Sequence, residues 1–467
     1  MRRSTNSQNN QAGRKFSRRD MLKWMGVGTA GTVLASCAPV GTAPSGSADS
    51  SMASSDEPST VEIWTGFGQG RMADAMTGAI EKFGEENPGF AGEHVVIPWG
   101  EIHDKVLAAT AAQTAPDAYR GWAWIVADDA AIGGLTDLTD LFASTGTSMD
   151  DYWPATADQM HYEGKIYAVS ISTIVQLFYH NNDRIREGGF DADNLPTDLE
   201  GWTEIGDALT EVNDAGQIDK VGLIPQIPRF NAVGNWGPAF GVEFWDADTR
   251  QITANSDAGV AMLEWAKSYG EKYKPEEIQA FISSFGGNGF GRNTPEGVYY
   301  TGRVAAWVLG SWSYNDLGEY GPDVDFGVAA IPSPSTATNG KPGGINANMY
   351  FVPKGANNVE GGFAFAHFMS TSPWVAINKA GPDSVTPSLK VNATLPELEE
   401  AQPWLAFARD EILPNATSIS GMPASGFLGR ALNEALDNVL FNDADPAAEL
   451  ANAVERSQNE VDKKLKS

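Results

Sequence analysis

The run Tyr167–Asn181, which reads YAVSISTIVQLFYHN, is rich in apolar residues. Nine of the fourteen residues from Ile166 to Tyr179 are Val, Ile, Leu, Phe or Tyr, and none is Pro or Gly. This composition predicts a buried strand. Because most strands have only ~5–6 residues, we interpret Val169–Thr173 as a crossing between two lobes and Ile174–Phe178 as a strand of the second lobe. A single long strand in a one-domain core is the alternative.

Hydrophobic periodicity elsewhere predicts alternating strands and helices, and therefore an α/β fold. Before the run, the pattern predicts strands at Val61–Trp64, Val95–Trp99 and Ala118–Trp122, with helices at Arg71–Phe83 and Ile102–Ala112. After it, the predicted strands are Val221–Ile227, Gly302–Gly310, Asp325–Ile331 and Ile345–Val352. Ligands of such folds bind at the carboxyl ends of the strands.

Length and charge narrow the class of protein. A chain of 467 residues exceeds what one core usually supports, so two domains are expected. The formal net charge of −28 disfavours nucleic acid and anionic lipid as partners. It leaves open a neutral or a cationic ligand.

The first 60 residues are predicted to be an export signal and a tether rather than part of the fold. Ser17–Lys23 resembles a twin-arginine export signal, and the apolar run that follows it is too short to span a bilayer stably. The run ends at Cys37 in the sequence LASC, which resembles a lipoprotein box. We therefore predict a signal peptide over residues 1–37, lipidation of Cys37, and a flexible Ser-, Ala- and Pro-rich tether over residues 38–60. An uncleaved membrane anchor is the alternative.

Tryptophans cluster at the predicted strand ends. Trp64, Trp99, Trp122 and Trp124 all fall at the carboxyl edge of the first sheet, where they can be core residues or a ligand platform. A Gly-rich turn, TGFGQG, follows the first strand. It does not match a dinucleotide-binding fingerprint, because Arg71 occupies the position of the third glycine.

Several stretches in order resemble the extracellular solute-binding lipoproteins of ABC importers, the class that includes maltose-binding and multiple-sugar-binding proteins. They are WTGFGQG, APDAYRGWAWIVADDAAIGGLTDL, YAVSISTIVQLFYHNND, TGRVAAWVLGSW and the segment 343–372. The resemblance implies a two-lobe venus-flytrap fold of type II, with a helix-flanked sheet in each lobe. It implies hinge crossings near Val169–Thr173, Lys341–Gly344 and Lys390–Thr394. The first lobe would combine residues 61–170 and 343–392, and the second residues 173–342 and 393–467.

The resemblance also implies a sugar site between the lobes. Trp312 matches a stacking position, Trp122 a first-lobe site tryptophan, and Thr173 a polar crossing residue. Where the family often has an acidic or Arg side chain, this chain has Trp124, which favours a glycan other than a maltodextrin. Asn346 and Asn348 are candidates by position, although they can also be turn residues. The other candidates are Trp64, Phe67, Gly68, Trp99, Trp236 and Gly344.

The functional expectation is an extracytoplasmic, monomeric binding protein that delivers a saccharide to an ABC permease. Indole faces and polar groups suit the apolar face and hydroxyl rim of a sugar. No cofactor, metal or catalytic residue is expected, since the five histidines are scattered. The alternatives are a secreted glycoside hydrolase, which needs two carboxylates about 5–10 Å apart, and a binding protein for a non-sugar solute.

Overall fold

The computed structural model describes residues 57–227, 232–285, 296–419 and 421–465. All of these belong to one compact unit, Asp56–Ser467. The predicted signal peptide, Cys37 and the tether up to residue 56 lie outside the described residues.

The strands, in chain order, are β1 Ser59–Thr65, β2 Phe90–Val96, β3 Ala118–Trp122, β4 His161–Tyr162, β5 Lys165–Ile166, β6 Ala168–Asn181, β7 Glu211–Val212, β8 Ile218–Lys220, β9 Trp245–Asp246, β10 Gln251–Ile252, β11 Ala306–Gly310, β12 Phe326–Ala329, β13 Ile345–Phe351 and β14 Thr386–Pro387.

The helices are α1 Gly70–Glu86, α2 Ile102–Ala111, α3 Trp124–Ala131, α4 Thr139–Ala143, α5 Pro154–Asp158, α6 Asn182–Glu187, α7 Leu199–Leu209, α8 Ala232–Phe240, α9 Asp257–Tyr273, α10 Pro275–Ser283, α11 Ser313–Tyr320, α12 Val359–Thr371, α13 Pro373–Val375, α14 Gly381–Asp383, α15 Pro396–Ala401, α16 Trp404–Phe407, α17 Ser425–Asn442 and α18 Pro446–Lys464. Two π-helical turns are also present, at Ala376–Ala380 and Ala408–Ile412.

Strand β6 is the long strand that pairs with β13 at one end and with β11 and β12 at the other. Its residues 168–175 pair antiparallel with β13, whereas residues 176–180 pair with β11 and residues 178–181 with β12. The strand order across the largest sheet is β11-β6-β13-β3-β1-β2. The predicted long strand is confirmed. Its first part pairs with β13 and its last part, from Gln176, pairs with β11 and β12, as expected of a strand shared by two sheets.

The buried apolar residues form cores on either half of β6. The first core draws its buried residues from 61–171 and 347–389. Two further clusters draw theirs from 175–345 and 376–461, together with Trp153. We call the latter two clusters the second core. Helix α1 shows how the pattern builds such a core, because Met76, Ala79 and Phe83 share its buried face.

Polar contacts join elements of the first core to elements of the second. Each pairs a charged side chain on one part with an opposite charge on the other. The pairs are Arg71 with Asp316 at 3.2 Å and with Glu319, Asp128 with Lys464 at 2.9 Å, and Glu163 with Arg250 at 3.5 Å.

Two strand predictions differ from the structure. The strand predicted at Val221–Ile227 is wrong, since only Val221 makes an isolated bridge, to Val304. The segment is apolar because it packs on helix α7: a Cβ on Gly222 would lie 1.8 Å from the carbonyl oxygen of Gly206. Burial therefore produced the apolar pattern without a sheet. Strand β2 also ends at Val96, so Trp99 lies beyond it.

Candidate functional site

One face of the sheet collects several of the predicted site residues. Trp122 on β3 lies opposite Asn348 on β13, and Asn348 lies opposite Ser172 on β6. The Asn348 amide donates a hydrogen bond to the Ser172 hydroxyl at 3.0 Å. Asn346 lies two residues before Asn348 and therefore on the same face. These side chains form a row that crosses three strands.

The row continues toward the second core. Asn346 pairs with Ile174, and Gln176, two residues farther along β6, pairs with Gly310 at the end of β11. The indole of Trp312 folds back over this glycine, since a Cβ there would lie 2.3 Å from Trp312 Nε1. Gly310 is thus a packing requirement for the position of Trp312. The predicted stacking residue lies at the opposite end of the row from Trp122.

An aromatic cluster surrounds the Trp122 end. The Phe67 and Trp99 rings meet edge to face at 4.8 Å between centroids, and Trp99 lies 5.6 Å from Trp122. Trp122 and Trp124 are nearly parallel, with an angle of 11° and centroids 6.5 Å apart. Gly66 permits this arrangement, because a Cβ at that position would meet the Trp99 ring at 2.3 Å. Four predicted residues therefore lie together.

Two buried cations support the cluster. Arg120 is 4% exposed, and its guanidinium carbon lies 5.4 Å from the Trp99 ring centroid and 5.7 Å from that of Trp122. Lys379 is 2% exposed, and its ammonium lies 4.7 Å from the Phe67 ring centroid. Burial lowers the pKa of Lys379 to about 8, against the opposing effect of Asp383.

A small polar recess lies at the Gln176 end of the row. Its cavity volume is about 10 Å³, which is about the space that one water molecule needs. Two candidates, Gly344 and Asn346, line it, together with Gln176 and Asn235. Gln176 and Asn235 are buried, and Gln176 Oε1 has no hydrogen-bond partner among the described residues. The lining is rich in amide groups, which can both donate to and accept from hydroxyl groups.

Thr173 lies on the other face of β6. Its hydroxyl contacts the hydroxyls of Thr156 at 2.9 Å and Ser388 at 3.3 Å, and it is fully buried. Neighbouring Ser172, which alternates to the opposite face, contacts Asn348 instead. The structure therefore places Thr173 in an internal hydroxyl cluster and not in the row.

Three other candidates lie outside the row. Trp236 is 2% exposed and packs on Phe178 and Trp265 in the second core. Trp64 pairs with Tyr119, whose side chain alternates to the face opposite Trp122. Gly68 lets the first turn approach β2, since a Cβ would meet Val96 at 2.7 Å.

Sequence reasoning missed Arg120, Ser172, Gln176, Asn235 and Lys379. One signal was available: Gln176 interrupts an apolar run of β6. Arg120 carried a weaker signal as the charged residue of a buried strand. The sequence could not show that Arg120 and Lys379 lie near each other, because the two residues are distant in the chain.

One further titratable pair lies beside the aromatic cluster. His103 Nε2 is 3.0 Å from Asp129 Oδ2, and its ring meets Trp124 edge to face at 5.0 Å. Burial lowers the pKa of His103, but the hydrogen bond and charge of Asp129 outweigh it, and the net pKa is raised. Within the described ranges, no group of three or more His, Cys, Asp or Glu side chains could hold a metal ion.

The described helices include none that is both long and apolar enough to cross a membrane.

The chain belongs to a family of bacterial extracellular solute-binding proteins, whose model matches residues 78–404. The expected family is confirmed, and an extracytoplasmic location follows from it.

Solved structures confirm the two-lobe fold. CpMnBP1 with mannotriose bound has a TM-score of 0.72 at 21% identity, covering 85% of this chain and 100% of that one. An ABC substrate-binding protein of Listeria monocytogenes in complex with cycloalternan has a TM-score of 0.69 at 18% identity, covering 86% and 98%. The maltose/maltodextrin-binding domain of Bdellovibrio bacteriovorus bound to maltotriose has a TM-score of 0.66 at 21% identity, covering 87% and 100%.

Proposed function

We propose that this protein captures a saccharide between its two lobes and delivers it to the permease of an ABC importer. The observation that carries the proposal is the row from Trp122 through Asn348 and Asn346 to Gln176 and Trp312, which spans both cores. Indoles at both ends can stack on the apolar faces of sugar rings, and the amides between them can pair with hydroxyl groups. The sugar-bound relatives of the same fold support this choice.

The proposed site comprises the row, the aromatic cluster and the recess. Phe67, Trp99, Trp122 and Trp124 would form the first-lobe wall, and Trp312 the second-lobe wall. Gly344, Asn346 and Asn348 would form the floor. Trp64, Gly68, Thr173 and Trp236 would act through the fold, as their placement indicates.

A binding role is preferred to catalysis. A glycoside hydrolase places two carboxylates across the sugar, whereas the row consists of indole, amide and hydroxyl groups. Incubation with oligosaccharides followed by product analysis should therefore return them intact.

The lobe boundaries proposed here are those given by the resemblance, 61–170 plus 343–392 and 173–342 plus 393–467. The distribution of the two cores supports them. Ligand contacts to both walls would favour closure, because only contacts that differ between the open and closed states shift that equilibrium.

The experiment is a thermal-shift screen against a glycan panel. A ligand present at ~100 times its Kd adds ~2.7 kcal/mol to the unfolding free energy, so a cognate saccharide should raise the melting temperature. Asn346→Ala should weaken that response, and Asn194→Ala, at an exposed position, should leave it unchanged. If no saccharide raises the melting temperature, the sugar role is rejected.

We also propose that acyl chains on Cys37 anchor the mature protein, with residues 38–60 as its tether. The LASC sequence supports this. Cys37→Ala should move the protein from the membrane fraction to the soluble fraction, and unchanged fractionation would contradict the anchor.

A further inference from the structure

The two cations beside the aromatic cluster have too little opposing charge around them. Within the described part of the chain, Asp383 is the carboxylate that acts on both: its Oδ2 lies 4.0 Å from Lys379 Nζ, and its charge also favours protonated Arg120. Asp383 is itself partly solvated. Buried charges in proteins are normally paired. Two cations against one carboxylate leave an excess of positive charge.

The donors of these cations are not all satisfied. Arg120 donates from Nη1 to the carbonyl oxygen of Gly121 at 2.8 Å, whereas its Nε has no hydrogen-bond partner among the described residues. The aromatic rings compensate part of the charge, because a cation over a ring face is attracted to it. They cannot accept the in-plane N–H bonds of a guanidinium. An anion could accept those bonds.

The position of the cations connects them to the proposed sugar site. Arg120 lies two residues before Trp122 on β3, and therefore on the face that carries the row. Lys379 lies in a π-helical turn, Ala376–Ala380, over Phe67. Such turns occur frequently at functional sites. The excess positive charge therefore lies at the first-lobe end of the site, next to its aromatic wall.

We propose that the site takes an acidic saccharide, and that Arg120 and Lys379 pair with the carboxylate of a uronic acid unit. This rests on the proposed function and specifies its substrate class. The planar fork of Arg120 suits a carboxylate, which can accept two parallel hydrogen bonds. Lys379 would supply a second, point-like charge. A neutral sugar would leave the excess charge uncompensated.

The chain's overall charge makes this arrangement selective. At a net charge of −28, the surface repels anions in general. An anionic ligand is therefore retained only where local cations outweigh that repulsion. Arg120 and Lys379 would supply this local positive charge inside the cleft. The acidic outer surface would not attract an acidic polymer.

Matched disaccharides test the proposal without mutation. The probes are glucuronate, galacturonate and mannuronate disaccharides, each compared with its carboxyl-reduced, neutral counterpart by titration calorimetry. In every pair that binds, the acid should bind at least ten times more tightly than the neutral sugar. Equal or tighter binding of the neutral member overturns the acidic-ligand inference while leaving the sugar role intact. If no member of any pair binds and the wider glycan panel also fails, both proposals are overturned.

Variants then assign the preference to these side chains. Arg120→Gln and Lys379→Met should each weaken binding of the acid more than binding of its neutral counterpart, and so remove most of the ten-fold preference. Lys354→Met, at an exposed lysine, is the matched control and should retain the preference. If both cluster variants keep the preference, the two cations are structural only and the proposal fails. If either variant does not fold, the comparison of matched sugars on the parent protein decides the question.

Discussion

At the residue scale, Gly310 determines where the Trp312 indole lies. The Trp312 ring occupies the space that a side chain on Gly310 would need. The glycine and the tryptophan are therefore coupled, and a substitution at either should change the affinity for the ligand.

Gly310→Ala should displace the Trp312 indole and weaken saccharide binding. The loss should approach that of Trp312→Ala, ~1–3 kcal/mol from lost ring burial, or roughly 5- to 150-fold in Kd. Titration calorimetry with the cognate sugar measures it. Gly318→Ala is the control, since a Cβ there would meet nothing within 4 Å. Unchanged affinity in Gly310→Ala would show that Trp312 does not stack on ligand.

Lys379 should destabilise the folded, ligand-free protein. Its pKa in the folded state, about 8, lies below the ordinary 10.5 because burial disfavours the ammonium, and Asp383 and Arg120 are the charges that face it. Below pH 8 the lysine is protonated in both states, so the penalty is complete. As pH rises from 8 toward 10.5, the folded state loses its proton first and the penalty is relieved.

Lys379→Met should therefore raise the ligand-free melting temperature at pH 7 and raise it less at pH 9.5. A gain of 1 kcal/mol corresponds to about 2–4 °C in a domain of 150–250 residues. Differential scanning calorimetry at the two pH values measures the change, with Lys354→Met as the exposed comparison. An equal gain at both pH values would mean that the buried charge is not its source.

At the element scale, the side chains on the two faces of β6 make different contacts. Ser172 and Gln176 lie in the row, whereas Thr173 binds the hydroxyls of Thr156 and Ser388 on the other side. One face belongs to the proposed site, and the other carries the cluster of buried hydroxyls.

Thr173→Val should lower stability and spare binding. Leaving a buried hydroxyl partner unsatisfied costs ~1–3 kcal/mol, while the row is untouched. Ser172→Ala should instead weaken sugar binding as well as stability, because it removes the hydroxyl that accepts from the buried Asn348 amide in the row. Denaturant unfolding and calorimetric titration separate the two effects. Weaker sugar binding by Thr173→Val at full stability would instead favour the direct ligand contact predicted from sequence.

The existence of β6 could be predicted from sequence, whereas the task of each face could not. Nearly every residue of the strand is buried on both sides, so it shows no alternation of polar and apolar positions to mark a ligand-facing side. Only the pairing partners settle it, and Asn348 comes from a strand far along the chain. The same limit explains Trp236, whose aromatic character fits a core as well as a site.

Local signals indicated that residues of the proposed first-lobe wall would lie close together, and the structure brings these rings together. Phe67, Trp99 and Trp122 each follow or end one of the neighbouring strands β1, β2 and β3, and strand ends in such a sheet converge. Trp64 lies within β1 rather than beyond its end, so the same reasoning misplaced it.

At the scale of the whole molecule, charged pairs between the two cores should favour the closed form. Arg71 reaches Asp316, which is 2% exposed, from the first-core helix α1. A partly buried pair of this kind is screened less than an exposed one.

Arg71→Ala should shift the ligand-free protein toward more open forms and weaken sugar binding several-fold. Small-angle scattering should show a larger radius of gyration without ligand and a return to the parent value at saturation. Arg186→Ala is the control, since Arg186 pairs with Asp325 at 2.6 Å and both residues lie in the 175–345 segment of the second core. An unchanged radius in Arg71→Ala would mean that this pair does not contribute to closure.

The position of β13 has a consequence for how the chain can be made and divided. This strand separates β3 from β6 in the sheet, yet it follows Trp122 by more than two hundred residues. During synthesis, the first half of the sheet must therefore wait, with a gap between β3 and β6, until nearly three-quarters of the chain has left the ribosome. A fragment ending at residue 170 would lack β13 and most of β6, and it would expose the edge of β3, which invites aggregation. Because each core draws its residues from separate parts of the chain, a single cut cannot release either core intact.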